Sequence, residues 1–303
     1  MKNLITSLLL ISAMFASGQN ADTTYWKRGG RSALTFSQVS LTNWAAGGQN
    51  SAAINSNLSL FGVRTKGRGK WENSFEAGFG VIKQGENDLT KSDDIINFVT
   101  KYGYQINKES SKWYFSGILD FRTQFADGFD ASDTVKISTF MAPGYLVIGT
   151  GIDYYPNNKF TFSLQPITGK FTFVQDQGLA NAGAFGVDPA ILAADGVTIV
   201  TPGKNSRAEL GVFFKAQYVS DIFESRLELF TGYTENFGDI DVNWQNALVM
   251  NVTKVLSMNI FTQLIYDKDI LIADEDGVLD DRVQFKSVIG AGLAYNFGDK
   301  KSK

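Results

Sequence analysis

The sequence contains no cysteine and no histidine. Without cysteine there is no disulfide, no thiol nucleophile and no lipid-anchoring residue at a leader cleavage site. Without histidine, the Ser-His and Asp-His pairs of hydrolytic enzymes have no base. Zinc sites built on imidazole or thiolate lose their ligands as well. The enzymatic route that remains is a pair of carboxylates; with 31 acidic residues in the chain, a chance pair marks nothing. No glycine-rich loop opens a helix to cradle a phosphate. An enzyme is therefore not expected, nor a cofactor. Proline is scarce, at 5 residues. Long apolar runs are missing too: beyond the N-terminus, nothing approaches the ~20 apolar residues of a membrane-spanning helix. Positive charge is not in excess, since 28 basic residues face 31 acidic ones. That leaves no basic footprint for nucleic acid.

What is present begins with a leader. Lys2 is followed by the short apolar core Leu4–Phe15 and by the small residues Ala16-Ser17-Gly18. This is the form of a secretory signal peptide over residues 1–18, with a mature domain over 19–303. Exported, without cysteine and with a mean hydropathy of −0.09, the chain suits a bacterial envelope. Near-neutral hydropathy is compatible with a transmembrane barrel, whose strands hide apolar character by alternation.

Alternation runs through the chain. In Arg282–Phe297, the odd positions Val283, Phe285, Ile289, Ala291, Leu293, Tyr295 and Phe297 are mostly apolar; Gln284, Lys286, Gly290, Gly292 and Asn296 oppose them. This is the period of a strand between two unlike environments. Twelve strand candidates follow from the same reading: Ala33–Asn43, Ser51–Thr65, Lys70–Lys83, Ser92–Ile106, Lys112–Phe125, Thr139–Tyr155, Lys159–Val174, Ser206–Val219, Glu224–Asn236, Asp241–Lys254, Leu256–Asp269 and Arg282–Phe297. Most exceed the ~5–6 residues usual in soluble sheets. Short and long connections largely alternate, as with the periplasmic turns and outer loops of outer-membrane barrels. The expected fold is an all-β, transmembrane antiparallel barrel of about twelve strands, with short periplasmic turns and longer extracellular loops. Pro166 interrupts the seventh candidate: Phe160, Phe162 and Leu164 share one parity, Phe171 and Phe173 the other. A β-bulge at Pro166–Ile167 would explain the flip and turn Lys170 inward.

Four constellations are candidates for function. Parity directs Glu72, Glu76, Asp120, Arg122, Lys170, Glu209, Lys215, Arg226, Glu228 and Lys286 to the lumen. There they line a pore or fill it with mutual ion pairs; their mixed signs favour pairing over a strongly selective filter. Around the last connection lie Asp267, Asp269, Asp274, Glu275, Asp276, Asp280 and Asp281. Oxygen ligands such as Asp274, Asp276 and Asp280 suit Ca²⁺ or Mg²⁺, yet the spacing fits no EF-hand, and a solvated loop is favoured; Asp267 and Asp269 can belong to the lumen. The segment Asp176–Asn205 carries too much apolar surface for a free loop. It folds inward as a constriction, holds a short helix at Pro189–Ala194, or docks a partner. Finally, Tyr102, Tyr104, Trp113, Tyr154, Tyr155, Tyr218, Tyr233, Trp244, Tyr266, Tyr295 and Phe297 lie toward strand ends, as in interfacial aromatic girdles.

Several short stretches are familiar together: Trp26-Lys27 with Gly29-Gly30; Gln38, Leu41, Asn43-Trp44 and Gly47-Gly48; Lys91-Ser92-Asp93-Asp94; Thr123-Gln124-Phe125 with Gly128; Pro166 with Thr168-Gly169-Lys170; Asp241-Val242-Asn243-Trp244; Leu264-Ile265-Tyr266-Asp267 with Asp269; and Gln284-Phe285-Lys286. In these the chain resembles a Bacteroidota outer-membrane family known as domain of unknown function 3078. The resemblance implies an outer-membrane barrel in a Bacteroidota envelope and brings no substrate.

The expected role is a passive pore for small solutes or ions in the bacterial outer membrane, in contact with lipid and lipopolysaccharide. The alternative is a non-enzymatic barrel subunit of a larger outer-membrane complex for secretion or barrel assembly, engaging other membrane proteins through Asp176–Asn205. The 12 residues Ala21–Ser32 are too short for the plug of an energised transporter.

Overall fold

A computed structural model of the chain describes residues 25–40, 50–107, 112–130, 134–234, 237–253, 255–273 and 278–299. The proposed leader lies outside these, as do 41–49 with Asn43-Trp44 and Gly47-Gly48. The described residues form a closed barrel of twelve antiparallel strands. They are β1 Trp26–Val39, β2 Ser51–Lys66, β3 Gly69–Gln84, β4 Thr90–Gln105, β5 Trp113–Thr123 and β6 Gly144–Tyr154. After them come β7 Phe160–Phe173, β8 Ser206–Val219, β9 Phe223–Gly232, β10 Asp241–Asn251, β11 Leu256–Tyr266 and β12 Gln284–Gly298. Each pairs with its sequence neighbours, and β12 closes on β1 from Gly29↔Gly298 to Phe36↔Ala291.

The sequence reading places all twelve strands, with differences at the ends. Strand β1 starts at Trp26, seven residues before Ala33, because Gly29 and Gly30 fit between β2 and β12, where a Cβ would strike neighbouring backbone within 3 Å. Strand β6 starts at Gly144 rather than Thr139, since Pro143 has no N–H for the ladder. Strand β9 ends at Gly232, short of Asn236.

The bulge is where parity puts it. Gln165 and Thr168, three steps apart on β7, face Phe213 and Gly211, two steps apart on β8. On the other side, Leu164 and Ile167 face Ile152 and Thr150. The extra residue at Pro166–Ile167 leaves Ile167 64% exposed and sends Lys170 inward. Across from it, a Cβ on Gly151 would lie 2.0 Å from the Leu164 carbonyl oxygen, so the bulge needs glycine there.

The connections at one end are short: 67–68, 106–112, 155–159, 220–222 and 252–255, next to both ends of the barrel chain. At the other end they include 124–143, 174–205 and 267–283. The segment after β7 departs from expectation. Its helix, α1, is Gln177–Asn181, capped by Asp176, whose carboxylate accepts from the Leu179 N–H at 3.1 Å. Pro189–Ala194 is not helical. Ile191–Leu192 pairs with Ile199–Thr201 as a small hairpin, whose β-branched residues favour that conformation. Gly203 passes so close to α1 that a Cβ would lie 2.2 Å from the Ala180 carbonyl oxygen.

The polarity of the barrel is inverted relative to a protein that folds in water. Its fully buried side chains include Gln165, Thr168, Asp120, Asp153 and Ser163. Leu210, Leu164, Ile289 and Leu293 stand out from the wall. Two small apolar clusters interrupt the polar interior. Ile118, Phe213 and Phe230 meet inside the barrel with Val99 and Val147; Ala142, Val174, Ala180 and Val187 join the long loop to the rim, with Leu179 and Phe185. No described helix is long and apolar enough to cross a membrane.

Candidate functional site

In a closed barrel, side chains of non-neighbouring strands can meet only through the lumen. Arg122 on β5 bonds Glu228 on β9, with three strands between them along the wall. Lys286 on β12 bonds Asp93 on β4 in the same way. Lys170 on β7 reaches Asp241 on β10 at 2.6 Å. These contacts place the charged set inside, and they group in three layers.

At the short-turn end, Lys101 stands 2.8 Å from Asp153 and 3.3 Å from Glu72, and Lys70 stands 2.8 Å from Glu72. The Tyr155 hydroxyl donates to Glu72 at 2.6 Å, so this tyrosine belongs to the lumen and not to the aromatic girdle. It follows the inward Asp153 by two residues, and parity carries it inward. Asp153 is wholly buried and also accepts from Ser116 at 2.8 Å and from Ser163. A cavity of about 120 Å³ remains beside this layer.

In the middle, Arg122 grips Asp120 with two N–H groups at 3.1 and 2.9 Å and also reaches Glu228. Lys215 lies 2.7 Å from Glu228. This bidentate geometry suits arginine, whose planar fork matches a carboxylate. Arg226 pairs with Glu224 at 3.5 Å, and Glu76 stands across the ladder from the buried Asn97.

Toward the long loops, Lys170 is shared by Asp241 at 2.6 Å, Asp267 at 3.3 Å and Glu209 at 3.7 Å. Arg207 bridges Glu209 at 3.1 Å and Asp269 at 2.7 Å. Asp267 and Asp269 therefore join the lumen rather than a surface cation site. Asp274, Glu275 and Asp276 lie outside the described residues. Asp280 is exposed and accepts from the Asp281 N–H at 3.0 Å. Among the described residues, no group of three acidic side chains could hold a metal.

Between the middle layer and the long loops, with Lys170, Asp241 and Asp267 in its wall, lies a cavity of about 370 Å³, lined also by Tyr145, Phe185, Asn243, Gln245, Gln263 and Gln284. Phe185 hangs over it from the 174–205 segment in a left-handed backbone conformation, φ 59°. Lys136 holds the base of that segment, 2.5 Å from Asp176, and keeps that carboxyl below the usual carboxylate range.

The rim also explains one of the familiar motifs. Asp94 accepts from the N–H groups of Phe125 and Ala126 at 2.7 and 2.9 Å, and Lys91 bonds Asp94 at 3.0 Å and Gln124 at 3.1 Å. Lys91-Ser92-Asp93-Asp94 and Thr123-Gln124-Phe125 are thus one structure. The ten charged residues selected by parity all face inward. Lys101 and Asp153 are absent from that selection, although parity along β4 and β6 finds them. Phe213 and Phe230 share the inward parity of Lys215 and Glu228, and what the polar pattern does not announce is that they are apolar.

Residues 36–129 match a family described as "Protein of unknown function (DUF3078)". Among curated proteins, none matches the sequence. Solved structures with a related outline include the COG4313 outer membrane channel from Pseudomonas putida F1, at 9% identity and TM-score 0.40, covering 93% of this chain and 99% of that one. The FrpB iron transporter from Neisseria meningitidis follows at 11% identity and TM-score 0.32, covering 82% and 38%. The translocator domain of autotransporter NalP from Neisseria meningitidis gives 9% identity and TM-score 0.32, covering 98% and 96%. Likeness at this level says nothing of cargo.

Proposed function

We propose that the protein is an integral outer-membrane barrel that passes small polar solutes or ions through its charged lumen. The inverted polarity carries this reading. A wall presenting Leu210, Ile289 and Leu293 outward is costly in water, at ~25 cal/mol per Å² of apolar surface, and favourable in hydrocarbon. Every barrel strand has at least 10 residues, enough to cross a bilayer core at the usual tilt. Both ends of the barrel chain lie at the short-turn end, which suits insertion from the periplasm. The natural contacts of the outer wall are then lipid, and of the long loops lipopolysaccharide.

The middle layer makes the path narrow. A solute must pass the Arg122–Glu228 bridge, which sets ion preference. The test is single-channel conductance of the refolded chain in a planar bilayer. Reproducible small steps are expected, with ion preference altered by Arg122→Ala or Glu228→Ala. A silent barrel that still migrates faster folded than boiled would overturn passage.

A second reading has its own observation. The hairpin after α1 exposes Ile191, Val197 and Val200, at 61%, 81% and 65%. Such a patch suits a subunit of a larger outer-membrane assembly. A stoichiometric partner in mild detergent, lost when Ile191 and Val200 become serine, would support it.

A further inference from the structure

The upper cavity has the volume of a small-molecule site, about 370 Å³, and its lining divides into two kinds of surface. Strands β10, β11 and β12 contribute a row of amides: Asn243, Gln245, Gln263 and Gln284. Gln263 donates to Asn243 at 3.0 Å, and Asn243 donates onward to Glu228 at 3.4 Å. The Gln263 side-chain carbonyl accepts no hydrogen bond within the described residues. Gln245 and Gln284 make no side-chain hydrogen bond within the described residues. The second kind is apolar and aromatic: Phe213 and Phe230 at the floor, Tyr145 on the wall and Phe185 overhead.

The cations at the edge of this space are already engaged. Arg122 is held by Asp120 and Glu228, and Lys170 by Asp241, Asp267 and Glu209. An anion entering would have to displace a carboxylate from one of these cations. What stays uncommitted is neutral: amide N–H groups and carbonyls, each able to donate or accept, beside flat apolar surfaces. Hydroxyl groups, which both donate and accept, complement free amides. The C–H faces of a sugar ring complement aromatic side chains.

From this we infer that the upper chamber binds a small, neutral polyhydroxylated solute, of the size of a mono- or disaccharide, on the amides of Gln245, Gln263 and Gln284. The inference rests on the reading of the lumen as a solute path and names the class of solute that pauses there. Phe185 closes over the bound molecule.

The test is equilibrium binding by calorimetry on the refolded full chain in detergent, kept separate from conductance. The probes are maltose, with putrescine and gluconate as cationic and anionic controls. Maltose is expected to bind at millimolar concentration and both controls more weakly. Gln245→Leu with Gln284→Leu weakens maltose by about tenfold or more, as loss of two hydrogen-bonding groups requires. Gln217→Leu, in the lower chamber, leaves maltose affinity unchanged. Absence of maltose binding, or tighter binding of putrescine or gluconate, overturns the inference from the wild-type chain alone, whatever the variants do. Conductance steps without maltose binding overturn the sugar site and keep the pore. Maltose binding to a silent barrel overturns passage and keeps the site.

Discussion

The two halves of the lumen use similar side chains to opposite ends. In the short-turn half, Asp153 is closed in by Lys101, Ser116 and Ser163, and little space remains. In the long-loop half, one ammonium, Lys170, is shared by three carboxylates, and free amides border a cavity about three times larger. Charge alone therefore does not distinguish a structural plug from a site. The difference lies in whether the hydrogen-bonding capacity of the buried groups is used up by the protein.

The largest effect is expected where that capacity is fully used. Asp153→Ala leaves Lys101 only the longer contact to Glu72 and takes the acceptor from buried Ser116 and Ser163, so it should cost about 3–5 kcal/mol, as removal of one partner of a buried ion pair does. Asp267→Ala leaves Lys170 with Asp241 and Glu209 and should cost less than about 1.5 kcal/mol. Urea unfolding in lipid vesicles compares the two; equal losses would erase the distinction between the halves. Next in size is a test of the faces on which that distinction depends. Val212→Arg, on the outer side of β8, should reduce insertion by ~2–4 kcal/mol near the midplane. Unchanged insertion would mean that inside and outside are reversed.

Smaller in energy is the overhead contact. Phe185→Gly removes the ring above the upper chamber and relaxes a left-handed residue, so stability should hold while conductance rises; the same substitution has no counterpart in the lower half. A conductance equal to wild type would show that the constriction sits wholly in the middle layer. Smallest is the anchoring of the long segment by Asp176. Its carboxyl is held low by Lys136, so the anchorage is complete above the ordinary aspartate pKa of about 3.9 and is lost as pH falls through the depressed folded value. Protease nicking between 188 and 204 should accelerate only below that range. A single cysteine at Val197, 81% exposed, then fixes which half faces out, because only a surface loop reacts with an impermeant thiol reagent on intact cells.

Much of this architecture is legible in the chain because strand parity is local. Whether a side chain points in or out depends on counting by two from a neighbour. Even the Pro166 bulge announces itself in the spacing: Leu164 and Phe171 can share the outer wall only if one residue between them is extra. That suffices for twelve strands, for the inward set from Glu72 to Lys286, and for Lys170. It does not place α1, whose cap at Asp176 precedes a helix too short to show a period.

Sequence by itself determined which residues are inside. Only the tertiary structure decided which of them meet. Arg122 and Glu228, or Lys286 and Asp93, are separated by about a third of the chain or more and by three strands of wall. Their contact depends on the number of strands and the stagger at which β12 closes on β1, and no local spacing encodes that closure. The free amides of the upper chamber are likewise a product of closure: among the described residues, the wall brings no hydrogen-bonding partner to the side chains of Gln245 and Gln284.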